Sequence, residues 1–172
     1  MRRLLAVVAA LVLLAGCGSS GDQAAAPQSK RLPDLTLQGF QGGPSLDLGE
    51  LRGPAVINLW ASWCGPCRRE MPVIEKFSQQ NPDVQVLGID FQDRQEQAAA
   101  DLVRRTGVSY PIYADPTGEL SGRAPFPRVR GLPFTVLVDE RGRLVYGEYV
   151  EIKDVAQLEQ LVREHLGGRS LS

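Results

Sequence analysis

The chain has 172 residues, one domain's worth of sequence, with 43% hydrophobic and 23% charged residues. That mixture can bury a core and excludes a mostly disordered chain. The net charge of −1 provides no basic field for a nucleic-acid backbone, so no nucleic-acid partner is expected. Three cysteines and one histidine are too few for a disulfide-stapled scaffold. Cys64, Cys67 and the remote His165 also fall short of the roughly four ligands that structural zinc takes. No metal and no cofactor are expected.

Met1, Arg2 and Arg3 open the chain with positive charge, and residues 4–15 form an apolar run. The run is short for a membrane span but suits the core of a signal peptide. It ends in Leu14-Ala15-Gly16-Cys17, which resembles a bacterial lipobox, where small residues precede a cysteine that is lipidated and becomes the new N-terminus. Residues 1–16 are therefore expected to be a lipoprotein signal peptide and Cys17 the lipidation site. A plain cleaved signal or an uncleaved anchor would share the charge and the apolar core. The expected location is outside the cytoplasm, on a membrane through the lipid anchor, where disulfides persist. Residues 17–31 are rich in Gly, Ser, Ala and Gln and read as a flexible tether. Residues 32–168 read as the folded domain.

Short alternating segments at 35–37 and 46–48, separated by Gly39, Gly42, Gly43 and Pro44, predict a small β-hairpin. Residues 55–60 are mostly apolar and suit a central strand covered on both faces. A helix is expected over about 67–80, with Pro66 just inside its start and Met71, Ile74 and Phe77 inward. Residues 84–89 read as a second buried strand. Asp93 is the expected N-cap of a helix reaching Thr106, with Gly107 as its stop and Ala99, Leu102 and Val103 inward. A short extended piece at 110–113 and a turn at 115–118 follow. Residues 134–138 and 144–149 read as strands joined by Asp139-Glu140-Arg141-Gly142. The last helix runs over about 154–166, with Val155, Leu158, Val162 and Leu166 inward. This order gives an α/β class with a mixed central sheet and helices on both faces.

Trp63-Cys64-Gly65-Pro66-Cys67 lies between a buried strand and a helix, the context that makes a C-x-x-C pair a redox candidate. Cys64 falls at the helix N-terminus, where free backbone N–H groups and the helix dipole favour the thiolate, which is the nucleophilic form. Cys67 lies one turn further in, close enough to form a disulfide with Cys64 and to resolve a mixed disulfide. Trp63 is expected to cover one side of the site. The plainer readings of the pair are a static disulfide or half a metal site.

At these residues the chain resembles the thioredoxin superfamily, whose active site is W-C-G-P-C. The resemblance extends to Pro72, five residues after the second cysteine, and to Leu132-Pro133, which matches the family's cis proline before a strand. From about residue 32 to 166 the order is similar to the TlpA/ResA branch (the DsbE/CcmG type) of extracytoplasmic thiol-disulfide oxidoreductases. The N-terminal hairpin and the extra segment from about 92 to 118, which supplies a central inserted helix, both match that branch. The resemblance thus implies a thioredoxin fold in which Cys64 and Cys67 are the catalytic, redox-active pair and Trp63, Leu132 and Pro133 contact the client. Asn58 stands where ordinary thioredoxin has a buried Asp. The ResA-like branch instead uses a Glu three residues after the second cysteine, here Glu70. Spacing agrees, since Cys67, Glu70, Ile74 and Phe77 share one helix face. Glu70 is expected to be a partly buried carboxyl below the redox pair; its plainer role is a helix-start acid that complements the dipole.

Residues 122–129 depart from the branch, because Pro125 and Pro127 break any helix there. An ordinary loop is the expectation, with Phe126 lining a substrate groove as the alternative. His165 falls off the stripe of the last helix and reads as a surface residue. Ala61 stands where a peroxiredoxin has its threonine, so peroxidase activity is not expected, and the cysteine spacing does not suit a Sco-like copper carrier. The expected function is disulfide exchange, most simply reduction, on client proteins with disulfides. By the resemblance these clients would include an apocytochrome c, and a membrane thiol-electron carrier would recharge the pair. A monomer is expected. The alternatives are an oxidase or isomerase of secreted proteins, or a tethered binding module with a structural disulfide.

Overall fold

The computed structural model of the protein describes residues 30–167. The expected signal peptide, Cys17 and nearly all of the expected tether lie outside the described residues. Lys30 and Arg31, assigned to the tether from sequence, already belong to the folded unit. The Leu144 N–H donates to the Lys30 carbonyl at 2.8 Å, and Arg31 bridges Arg143.

Strands β1 (Thr36–Gly39) and β2 (Leu46–Asp47) form the expected hairpin. Next come β3 (Ala55–Trp60), helix α1 (Gly65–Gln80), β4 (Gln85–Phe91), helix α2 (Glu96–Thr106) and β5 (Ile112–Asp115). The fold closes with β6 (Phe134–Val138), β7 (Leu144–Glu148) and helix α3 (Val155–Leu166). The strands form one seven-stranded mixed sheet in the order β2-β1-β5-β4-β3-β6-β7. β3, β4 and β5 are parallel to one another, and the remaining pairs are antiparallel. β3 is buried at all six positions, as a central strand covered on both faces requires.

Alternation along the strands divides the core. Ile57, Leu59, Leu87, Ile89, Phe134 and Val136 face one way and pack with Leu35, Leu48, Leu120 and Phe126. Val56, Val86 and Leu137 face the other way, against Ile74 and Phe77 of α1 and Leu158 and Val162 of α3. Trp60, on that second side, packs with Cys67 and Met71 of α1 and Ala99 and Leu102 of α2. All three helices therefore line one face, whereas the sequence pattern predicts helices on both. The physical reason is twofold. The crossovers from β3 to β4 and from β4 to β5 step in the same direction, so right-handed connections place α1 and α2 on the same side. Pro125 and Pro127 keep the following segment irregular, and it covers the opposite face through Leu120, Phe126 and Val129. Phe126 is thus a core residue, 3% exposed.

Asp93 is not the cap of α2. The helix begins at Glu96 behind Gln95, which makes no side-chain cap bond, because Asp93 is engaged elsewhere, as described below. Gly107 stops α2 as expected, with φ +68° and its N–H on the Val103 carbonyl. Asp154 caps α3 by accepting from the Gln157 N–H. His165 is exposed, with its ring 4.6 Å from that of Tyr146.

Leu158 joins α3 to the sheet and is fully buried. Leu158→Ala should lower stability by about 2–5 kcal/mol, the range for emptying a buried leucine site. Urea unfolding followed by circular dichroism will show this as a lower midpoint with an unchanged slope.

Candidate active site

The parallel strand β3 ends at Trp60, and α1 begins at Gly65 after an intervening segment of four residues, 61–64. Cys64 is the N-cap of α1, and its Sγ accepts the Cys67 N–H at 3.2 Å. A sulfur in this position meets an unpaired donor of the first helical turn, which favours the thiolate once the pair is reduced. Cys64 and Cys67 form a disulfide with their Cα atoms 5.3 Å apart. Cys64 is 4% exposed and Cys67 fully buried, so Cys64 is the less buried of the two. Gly65 and Pro66 occupy the first positions of the helix, and Pro66 gives up an N–H that would have had no partner.

Glu70 lies one turn below Cys67 and is fully buried, deeper than the sequence suggests. Its Oε1 accepts the Asn58 Nδ2–H at 2.7 Å and its Oε2 accepts the Ile152 backbone N–H at 2.9 Å. The carboxyl thus ties β3, α1 and the segment before α3 together. Burial pushes it up to about 7, against the opposing pull of the Ile152 and Asn58 hydrogen bonds. A group titrating there can exchange a proton near neutral pH. Asn58 is the donor that holds the acid, so the site has its acid on the helix where ordinary thioredoxin has it on the strand.

Leu132-Pro133 is cis, as the sequence suggests; Gly53-Pro54 and Ala124-Pro125 are also cis, which it does not. Leu132 is half-buried and touches both the Trp60 cluster and the opposite core. Trp63 is 52% exposed. It lines a small cavity of about 130 Å³ with Phe91, Gln92 and the 129–132 segment that includes Leu132. Trp63 therefore stands beside the loop before Pro133.

Three contributors were missed from sequence. Asp93 accepts the Ser62 N–H on Oδ2 at 2.5 Å and the Gln95 N–H on Oδ1 at 2.9 Å, which fastens the loop before Cys64 to the turn after β4. Tyr149 packs on Phe134, accepts the Arg130 N–H and donates to the Arg128 carbonyl, bracing the loop before Pro133. Asp90, at the end of β4, is buried and its Oδ1 has no partner. The strand reading stopped at residue 89, one short of it. An acid ending an apolar run was the available signal. Nothing in the sequence announces the contacts of Asp93 and Tyr149, which span 31 and 19 residues.

Among the described residues no group of three His, Cys, Asp or Glu side chains could hold a metal ion, and no helix is long and apolar enough to cross a membrane.

The family model described as Redoxin matches residues 27–162. The chain is 29% identical over 148 residues to a thiol-disulfide oxidoreductase ResA of Halalkalibacterium halodurans, covering 84% of this chain and 78% of the relative. It is 32% identical over 126 residues to a thiol:disulfide interchange protein DsbE of Pseudomonas fluorescens, covering 73% and 67%. A solved DsbF homologue from Corynebacterium diphtheriae matches with a TM-score of 0.66 at 24% identity, over 81% of this chain and 86% of that one. This last likeness shows a shared fold.

The raised Glu70 carboxyl has a consequence for stability. A folded-state value of about 7 against an unfolded value near 4.5 means that the folded protein holds the proton more tightly than the unfolded chain. The stabilisation is fully present below about pH 4.5 and is lost as pH rises to about 7, a loss of about 3 kcal/mol. Glu70→Gln should keep its fold and lack this component. Urea midpoints at pH 4.5, 6 and 8 should therefore fall more steeply in the wild type than in the variant.

Proposed function

The chain belongs to the Redoxin family and is a thiol-disulfide oxidoreductase of the ResA and DsbE type with a Cys64–Cys67 pair, and from that premise we propose that it reduces client disulfides outside the cytoplasm. The observation that carries the reading is a C-x-x-C disulfide at a helix N-terminus with a buried, near-neutral carboxyl one turn beneath it.

The steps follow from the geometry. In the reduced protein the Cys64 thiolate attacks one sulfur of a client disulfide, and the other client sulfur leaves as a thiolate. Cys67 loses its proton, with Glu70 as acceptor, directly or through a water. The Cys67 sulfur then attacks Sγ of Cys64, the Cys64–client bond breaks, and the second client thiolate leaves. Two electrons have passed to the client, and the protein holds the disulfide seen in the structure. A dithiol donor must supply two electrons to restore it, and a membrane thiol-electron carrier is the partner of that chemistry. Trp63 and the backbone of Leu132 receive the client's extended segment beside Cys64. The Gly65-Pro66 dipeptide supports reduction, since the same pair occurs in thioredoxin at about −270 mV, against about −120 mV for the oxidant DsbA. The similarity to ResA and DsbE supports an apocytochrome c with a C-x-x-C-H disulfide as the client class. Lipidation at Cys17, following the signal at residues 1–16, would hold the monomer to the membrane, with residues 17–31 as tether.

Three measurements test this. The potential of the pair, equilibrated with glutathione, should lie below about −220 mV; a value near −120 mV would make the protein an oxidase. Cys67→Ser should accumulate mixed disulfides with clients and Cys64→Ser should not, whereas the reverse pattern would exchange the two roles. Glu70→Gln should slow stopped-flow disulfide exchange about 10-fold or more and remove its pH dependence near 7. For the anchor, Cys17→Ala should abolish metabolic lipid labelling; persistent labelling would refute lipidation there.

A further inference from the structure

Asp90 takes no part in the exchange steps. It sits at the end of β4 in a row of register partners that runs across the sheet, from Gln38 on β1 through Ala114 on β5 to Asp90 and then Trp60 on β3. The small Ala114 leaves the floor of that row low. Over it lies a cavity of about 760 Å³, between the 3-10 turn Phe40–Gly42 and the first turns of α2. Its volume falls within the range of small-ligand sites. Asp90 lines the cavity, yet only 4% of the residue is exposed and its Oδ1 has no hydrogen-bond partner. A buried carboxyl oxygen without a donor is costly, and such a group calls for a ligand or a proton.

The rest of the lining specifies the ligand. Asp93 and Glu96 add two carboxyls, and Arg94 is the one cation among the lining residues, so the cavity favours positive charge. Gln38, Gln41 and Gln97 offer amide oxygens, and Phe40 offers a ring face. A flat cation with several donors matches a carboxylate, amide oxygens and an aromatic face better than a compact ammonium does. We propose that this cavity binds a guanidinium group, either an arginine side chain of a partner polypeptide or a small molecule bearing the same group, with Asp90 as its counter-ion.

The cavity adjoins the redox centre without being part of it. Phe40, in its wall, packs edge-on against Trp60, with ring centroids 6.2 Å apart, and Trp60 packs with Cys64 and Cys67. Asp93, also in the lining, holds the Ser62 amide. The Asp90 carboxyl is pushed up to about 8 by burial, with the Asp93 and Glu96 carboxylates adding to the effect. The charged groups facing it are Asp93 and Arg94 from the turn after β4 and Glu96 from α2; β1, β5 and the 3-10 turn contribute none to the lining. A guanidinium that binds the ionised acid must displace its proton, so affinity should rise with pH up to about 8.

The test is a titration of the oxidised protein with N-acetyl-arginine amide, followed by isothermal calorimetry and by amide chemical shifts. Saturable binding is expected, with shifts centred on residues 38–42, 90–97 and 114. The neutral isostere N-acetyl-citrulline amide should bind at least 10-fold more weakly, and the arginine affinity should rise at least 10-fold from pH 6 to 8. Asp90→Asn nearly preserves the shape of the protonated acid and should weaken binding 10-fold or more. Ala114→Met, which raises the cavity floor, should abolish binding and keeps the test decisive if the Asp90 variant does not fold. Agmatine and N-acetyl-Gly-Arg-Gly-amide distinguish the two sources: tighter binding of the peptide identifies a polypeptide partner, and equal or tighter binding of agmatine a small molecule. Absence of saturable arginine binding, equal affinity for citrulline, or an unchanged affinity in Asp90→Asn would overturn the proposal.

Discussion

The Glu70 carboxyl is the contact on which the arrangement of the site depends. It accepts from Asn58 of the central strand and from the Ile152 amide ahead of the last helix. One side chain of α1 thus fixes the depth of that helix against the sheet and the height of its N-terminus, where the cysteines sit. No pairing of apolar surfaces would define position so narrowly, because hydrophobic contact is non-directional, whereas two hydrogen bonds to one buried carboxyl are not. The same burial that makes the contact specific also brings the acid's titration to about 7. Position and proton chemistry therefore have one physical origin.

The redox loop is held from the other side by Asp93. The 61–64 segment has to leave β3, turn and start a helix within four residues, and its Ser62 amide would be buried without a backbone partner. The Asp93 carboxylate receives it, and α2 then begins without a side-chain cap. Here tertiary demand overrides a local preference: an aspartate three residues before the helix is an ordinary cap candidate, but satisfying a buried amide outweighs capping a solvent-exposed turn. Ser62 and Asp93 follow β3 and β4, adjacent parallel strands, so the clamp lies at the carboxyl ends of the parallel strands, the end of such sheets where sites gather.

Much of this was legible in the sequence, and the exceptions share a cause. The redox pair, the helix behind it and Glu70 on its inner face rest on motifs within a few residues of each other, and local spacing carries them; the cis Leu132-Pro133 bond was legible only through the family resemblance. The hairpin and the strand cores follow from period-two alternation. What was not legible depends on contacts between distant segments: the Ile152 amide on Glu70, the Asp93 clamp, the Tyr149 brace and the burial of Phe126. The placement of all three helices on one face is of the same kind. It follows from the strand order, which periodicity does not encode, and from two prolines whose helix-breaking effect was readable although its consequence for the opposite face was not. Trp60 and Trp63 make the point within one motif. They are three residues apart, yet the first is fully buried and the second half exposed, because one ends a strand and the other stands on the turn beyond it.

Glu70 and Asp90 both occupy positions that cost stability at neutral pH, since each is a carboxyl driven upward by burial. Their surroundings differ in a way that separates their roles. Both oxygens of Glu70 are hydrogen-bonded, so its environment is complete in the folded chain and its remaining freedom is to gain or lose a proton. Asp90 has an oxygen without a donor and borders open volume, so its environment is completed by a proton or by a ligand. An apolar residue at Asp90 would avoid the cost of an oxygen without a donor, whereas one at Glu70 would lose the two directional hydrogen bonds that set the helix. One acid on α1, bonded to the central strand, and one on β4, bordering a cavity, give a redox centre one group that moves protons internally and one that meets what approaches.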